Sequence, residues 1–294
     1  MSGLARNLVT WAEMIKLEHS VFALPFALLA TFLAARPHRP SATQLALILV
    51  CMVAARSAAM TFNRLVDADL DARNPRTAGR ALPRGLITPR AAWGFFLASC
   101  VLFFGGCAGF WLWGDNPWPL RLAGPVLAWL LLYSYTKRFT AWSHLVLGVA
   151  LALSPVAAWL AINPGTLGPA AWLLVVAVTS WVAGFDIIYA CQDVDFDRAH
   201  RLHSLPARFG LARALWLARG CHVLTVVALL GVGRAAALGT LYFAGVGCVA
   251  LLLVVENALV RPDDLRRVNV AFFTVNGFVG LVLGLLGILD IVLS

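Results

Sequence analysis

The chain has 294 residues, of which 61% are hydrophobic and only 13% charged, with a mean hydropathy of +0.83. Soluble globular chains carry about 25% charged residues, so a soluble fold is excluded. The net charge of +9 would suggest nucleic acid in a soluble protein. Here the basic residues lie in short loops between apolar segments, so they read as membrane topology, and no nucleic-acid partner is expected.

Leu4, Leu8, Trp11 and Ile15 form an apolar stripe at helical spacing, which predicts a short interfacial helix over residues 1–16. Nine apolar spans follow, at about 17–35, 44–66, 91–113, 120–136, 142–161, 170–193, 211–232, 236–259 and 269–292. No ten-residue alternation of the outer-membrane barrel type is present. The expected fold is all-α, a polytopic nine-helix bundle forming one transmembrane domain over 1–294. No small-residue cleavage region follows the first apolar run, so no cleavable signal peptide is expected. Pro25, Pro125 and Pro155 fall inside spans, where they predict kinks. The six cysteines show no metal-ligand spacing and read as small apolar residues.

Loops alternate in charge. Arg73, Arg76, Arg80, Arg84 and Arg90 share one side with Lys137 and Arg138, then Arg198, Arg201 and Arg208, then Arg261, Arg266 and Arg267. The other side holds Arg36, Arg39, Arg121 and Arg234. With Arg6 and Lys16, this asymmetry places the N-terminus and the first set in the cytoplasm, and the C-terminus outside. A bacterial-type inner membrane is the expected location.

Two acidic stretches end spans on that cytoplasmic side. In the first, 63–71, Asn63, Asp67 and Asp71 fall at i, i+4 and i+8 on one helix face. In the second, 186–197, Asp186, Asp193 and Asp197 fall at i, i+7 and i+11. Half of the chain's 14 acidic residues lie in these stretches, which argues for one shared site. Asp69 and Asp195 fall off the shared faces and read as solvated. Carboxylates at a helix C-terminus meet an unfavourable macrodipole, and near a membrane they cost still more, so something positive must compensate. Each stretch precedes a basic loop with a faint echo, Gly79–Gly85 and His203–Gly210, consistent with two similar halves.

Paired carboxylates beside arginines and lysines suit Mg²⁺ completed by phosphate oxygens. The surroundings are deeply apolar, so the ligand combines a diphosphate head with a hydrocarbon tail: an isoprenyl diphosphate. Metal and basic residues would stabilise the departing diphosphate, and the allylic cation would be kept from water. Phe62, Tyr133, Tyr135, Phe139, Phe185 and Tyr189 are candidate aromatic faces for that cation. Asp186, deeper than Asp193, is placed to take the ring proton or to stabilise the cation. Arg56, seven residues before Asn63, is placed to bind an aromatic carboxylate. His19, His144, His200, His203 and His222 form no ligand spacing, and Asp290 and Glu256 read as interfacial or structural.

The pattern Asn63-x-x-x-Asp67-x-x-x-Asp71, the loop Arg76–Gly85, the pattern Asp186-x-x-Tyr189-x-x-x-Asp193-x-x-x-Asp197 and the segment Tyr133–Arg138 together resemble the UbiA-type intramembrane aromatic prenyltransferases. The resemblance covers nearly the whole chain. It implies a nine-helix bundle, Mg²⁺ dependence and a polyprenyl diphosphate donor. Asp67, Asp71, Asp193 and Asp197 match metal positions and Asn63 a diphosphate position; Arg80 and Lys137 match basic positions, and Arg56 also has a match. The family's first motif commonly begins Asn-Asp, whereas here Arg64 follows Asn63. The stretch Lys16–Ala27 resembles the branch labelled 4-hydroxybenzoate polyprenyltransferase, some members of which prenylate a dihydroxynaphthoate on the way to menaquinone.

The expected reaction is therefore Mg²⁺-dependent transfer of a polyprenyl group to the ring of 4-hydroxybenzoate in quinone biosynthesis, with 1,4-dihydroxy-6-naphthoate as the alternative acceptor. Both acceptors carry a carboxylate suited to Arg56 or Lys16. Asp186 and Tyr189 are the expected catalytic residues. A rival of another class is a cation-coupled transporter, since intramembrane acids also mark ion paths.

Overall fold

Apolar runs in a membrane must satisfy their own backbone hydrogen bonds, and they do so here as helices. The computed structural model describes residues 3–16 and 20–294, with side chains from residue 9 to 16 and from 22 onward. Leu4, Arg6 and Leu8 lie outside the described side chains, and His19 lies outside the described residues.

The helices are α1 (Gly3–Met14), α2 (Ser20–Ala35), α3 (Ala42–Val66), α4 (Ala68–Arg73), α5 (Pro89–Gly114), α6 (Trp118–Thr136), α7 (Ser143–Ile162), α8 (Pro169–Ala190), α9 (Val194–Ala199), α10 (Leu205–Phe209), α11 (Leu211–Ala235), α12 (Thr240–Leu259) and α13 (Asn276–Leu293). No strand occurs among the described residues; an isolated bridge joins Arg261 and Asp264. Seven membrane-length apolar helical segments are present among the described residues: α3, α5, α7, α8 with its continuation to Ala199, α11, α12, and α13 with the turn before it. The expected spans at 17–35 and 120–136 correspond to α2, a shorter apolar helix, and to α6, which falls outside that set of seven.

Local sequence sets the boundaries. Ser41 and Gln44 exchange hydrogen bonds at 2.9 and 3.2 Å, a capping box that opens α3. Thr88 accepts from the Ala91 N–H and Pro89 follows it, which starts α5. The prolines at 25, 125 and 155 are all inside helices.

The chain divides into two compact units: residues 1–20 with 46–135, and residues 21–45 with 136–294. In the first, Ala54, Ala58, Phe96, Phe103, Cys107 and Leu127 form a core between α3, α5 and α6. Met14 and Ile15 are buried against Ile87 and Ala92, and Trp11 lies 4.7 Å from Phe95. The N-terminal helix thus packs through its last turn onto the start of α5.

In the second unit the core centres on α8, where Trp181, Phe185, Leu174 and Val178 are buried with Phe22, Phe26 and Phe272. Between membrane helices there is no hydrophobic drive, so close approach through small residues supplies the packing. A Cβ at Gly148 of α7 would collide with the Thr179 carbonyl of α8. One at Gly284 of α13 would strike Pro25 of α2.

Two polar devices hold this unit. Asp290, in the last turn of α13, accepts from the N–H groups of Gly239, Leu241 and Tyr242 at 2.6, 3.1 and 3.4 Å, and so caps α12. Glu256 is fully buried rather than interfacial. It accepts from Asn276 Nδ2 at 2.8 Å, and Asn276 Oδ1 accepts from Trp181 Nε1 at 2.6 Å. Asn276 also donates to the Ala271 carbonyl at 3.1 Å, at the wide π-helical turn Val270–Val275.

Candidate active site

Both acidic stretches interrupt their helix at the same residue type and with the same backbone. α3 ends at Val66, Asp67 adopts φ −98°, ψ 9°, and the six-residue α4 begins. α8 ends at Ala190, a tight turn Cys191–Asp193 follows, Asp193 adopts φ −103°, ψ 6°, and the six-residue α9 begins. The spacing predicts each carboxylate series on one uninterrupted helix end. The break instead puts Asp71 and Asp197 in the first turn of a new helix, where negative charge is favoured. Asp69 and Asp195 are exposed, as their positions off the shared faces predicted.

In the first unit, Asn63 donates to Asp67 Oδ2 at 3.0 Å. Arg64, whose place in the motif departs from the family pattern, is buried and donates to Asn63 Oδ1 at 3.3 Å. Asp71 is buried and pairs through Oδ1 with Arg80 at 2.5 Å. Among the described residues, its Oδ2 is buried with no hydrogen-bond partner. A buried carboxylate oxygen left so is costly, and a cation is the natural group to satisfy it. The Thr77 hydroxyl donates to the Asp71 carbonyl at 3.0 Å, which ties the basic loop back to the short helix. Arg56 donates to the Lys16 carbonyl at 2.9 Å, so these two expected acceptor-binding residues are neighbours. Lys16 has φ 51°, a left-handed conformation uncommon for a residue with a Cβ. Phe62 lies 6.0 Å from Tyr135 and 5.5 Å from Phe96.

In the second unit, Asp197 is fully buried. Its Oδ1 lies 2.8 Å from Lys137 Nζ and its Oδ2 accepts from the Ser204 hydroxyl at 2.8 Å. Ser204 also caps α10 by accepting from the Ala207 N–H at 3.3 Å. The loop echo thus performs one task by two means. After the first stretch the loop supplies the cation, Arg80. After the second it supplies a hydroxyl, and the cation is Lys137, from the α6–α7 connection.

Asp193 is buried. Asp186, on the last turns of α8, accepts from His144 Nδ1 at 2.7 Å. Tyr189 lies against Phe272 in a tilted pair with ring centroids 4.1 Å apart and meets Phe273 edge-on at 6.2 Å. Phe185 is buried in helix packing, and Phe139 is exposed. The residues that sequence reasoning missed are His144, Ser204 and Arg64. Arg64 was visible as a departure from the motif; His144 gave no local signal, because its partner is 42 residues away.

Among the described residues, no three His, Cys, Asp or Glu side chains gather into a ready-made metal cage. Paired carboxylates with an unsatisfied oxygen suit a hard cation that takes its remaining ligands from phosphate and water, which is the habit of magnesium. The donor set therefore fits Mg²⁺.

The fold is a helical membrane fold with two aspartate motifs, each paired with a basic side chain, Arg80 in one and Lys137 in the other. Residues 23–278 match the model of the UbiA prenyltransferase family, and the chain belongs to that family. It is a membrane prenyltransferase, and this membership displaces the transporter alternative. The chain is 30% identical over 292 residues to a 4-hydroxybenzoate octaprenyltransferase of Saccharophagus degradans, covering 97% of this chain and 93% of the relative. It superimposes with a TM-score of 0.83 and 33% identity on a UbiA homolog from Aeropyrum pernix K1 in its apo form, covering 93% of this chain and 98% of that one. A UbiA homolog from Archaeoglobus fulgidus bound to DMAPP and Mg²⁺ shares the fold, with a TM-score of 0.72 and 20% identity over 97% of this chain and 100% of that one.

Proposed function

We propose that the protein transfers a polyprenyl group from a polyprenyl diphosphate to a ring carbon of 4-hydroxybenzoate, as a step in quinone biosynthesis. The observation that carries this reading is the repeated motif: a helix broken at a buried or half-buried aspartate, and a second buried aspartate four residues on, held by Arg80 in one unit and Lys137 in the other. The relatives named 4-hydroxybenzoate octaprenyltransferase support the acceptor. The homolog bound to DMAPP and Mg²⁺ supports the donor and the metal.

In this reading Asp67 and Asp71, with Asp193 and Asp197, are the magnesium ligands. Mg²⁺ held there would supply positive charge toward the departing diphosphate. Asn63 and Arg80 in one unit, and Lys137 in the other, bind diphosphate oxygens. The allylic C–O bond breaks with its electron pair leaving on the diphosphate. The Tyr189 ring, backed by Phe272, faces the cation. The acceptor carboxylate binds Arg56 and Lys16, which are already neighbours. A ring carbon of the acceptor forms the new C–C bond, and its proton passes to Asp186. Residues 1–294 act as one catalytic domain, in a bacterial-type inner membrane with the site cytoplasmic and the C-terminus outside.

The test is turnover in membranes with labelled polyprenyl diphosphate and Mg²⁺, with 4-hydroxybenzoate and 1,4-dihydroxy-6-naphthoate in parallel. Prenylated 4-hydroxybenzoate, lost with EDTA, is the expected product. Product from the naphthoate alone would transfer the reading to the menaquinone acceptor that the N-terminal stretch resembles. No product from either would sink both.

A further inference from the structure

A histidine inside a membrane helix is costly unless both ring nitrogens are satisfied. His144, at the start of α7, is buried, with 2% of its side chain exposed. The Leu205 N–H donates to its Nε2 at 3.3 Å. The ring proton therefore sits on Nδ1, which donates to Asp186 Oδ2 at 2.7 Å. Each nitrogen has one task, and a neutral ring performs both.

The bland reading is a core histidine that happens to be well paired. Three observations favour more. First, among the described residues His144 is the sole hydrogen-bond partner of Asp186. The Asp186 side chain keeps 18% of its surface exposed, so one carboxylate oxygen is fixed by the ring and the other remains open to a reacting group. Second, Leu205 adjoins Ser204, whose hydroxyl holds Asp197, the carboxylate that pairs with Lys137. The ring thus connects Asp186 to the segment that fixes Asp197. Third, the close packing that presses α7 onto α8 lies one turn further along α7, where Gly148 leaves no room for a Cβ against the Thr179 carbonyl.

We propose that His144 is a positioning residue: it fixes one oxygen of Asp186 through Nδ1–H and leaves the other to accept the acceptor's ring proton, while its Nε2 registers that carboxylate against the Ser204–Leu205 loop. The imidazole carries no proton in the reaction. This rests on the prenyltransfer reading given above, with Asp186 as base.

The test compares wild type, His144→Ala and His144→Gln with geranyl diphosphate, 4-hydroxybenzoate and Mg²⁺, measuring kcat, acceptor KM and direct binding of geranyl diphosphate. A misplaced general base costs about 10²-fold or more in rate, so His144→Ala should lose kcat on that scale while diphosphate binding stays within about threefold. Glutamine offers one N–H donor and one carbonyl acceptor, so His144→Gln should recover kcat to within about tenfold of wild type. Full kcat in His144→Ala overturns the proposal. Parallel loss of kcat and diphosphate binding also overturns it, because that marks a structural role. Glutamine as inactive as alanine overturns it in favour of an imidazole that itself carries the proton. A wild type that turns over no acceptor overturns the prenyltransfer reading, and this inference with it.

Discussion

Replacing Asp67 or Asp193 with alanine removes the aspartate at which each helix breaks and, on the proposed reading, a metal ligand. Turnover should fall by at least about a hundredfold, while the protein still inserts into membranes, because neither aspartate lies in a helix core. Full activity in either purified variant would remove that residue from the proposed metal site. Arg56→Ala should raise the acceptor KM by about tenfold or more and leave the donor KM nearly unchanged, since a hydrogen bond to a charged group is worth about 1.5–3 kcal/mol. Equal effects on both substrates would assign Arg56 to holding Lys16 alone, through the carbonyl it already binds. At this scale the candidate residues were legible: the sequence singles out Asn63, Asp67, Asp71, Arg80, Lys137 and Asp197, which the structure pairs as Asn63 with Asp67, Asp71 with Arg80 and Asp197 with Lys137. Pairings that depend on remote backbone were not. Nothing local in the sequence links His144 to Asp186, 42 residues away.

At the scale of elements, the two acidic stretches end in the same way. A long helix stops, an aspartate takes up φ near −100° and ψ near 0°, and a six-residue helix restarts. The spacing i, i+4, i+8 showed a shared face but not the break, because helical and broken-helical backbones carry almost the same periodicity over two turns. Asp290 shows a different element-level effect. It lies in the last turn of α13 and caps α12, so its role belongs to neither helix alone. Asp290→Ala leaves three N–H groups at the start of α12 without this acceptor and should destabilise the protein by about 1–3 kcal/mol. A fall in the thermal midpoint of the detergent-purified protein, with kcat unchanged below that midpoint, is the expected result. An unchanged midpoint would mean water replaces the carboxylate fully.

For the whole molecule, the arginine-rich loops predict the orientation. In intact cells a membrane-impermeant maleimide should label Gly165→Cys in the α7–α8 connection but not Ala78→Cys in the loop after α4, which should react only once the membrane is opened. Reversed labelling would invert the topology and place the acidic motifs outside. Removal of divalent cations with EDTA should abolish turnover, and Mg²⁺ should restore it, with no loss of helical content in between. The seven long apolar helices do not depend on the ion for their backbone hydrogen bonds.

Composition and periodicity alone determined that the chain is a helical membrane protein. They also located both aspartate motifs and the basic residues beside them. Those features are local: a lipid-facing helix must be apolar along its own length, and a carboxylate at its end is conspicuous wherever the chain goes next. Tertiary structure decided which cation closes each motif and which partner fixes Asp186. It also showed that Glu256, seemingly at a helix end, is sealed inside the bundle by Asn276. These depend on helices brought together through contacts such as Gly148 on Thr179. The geometry of such an approach comes from packing across dozens of residues, which no short stretch of sequence encodes by itself.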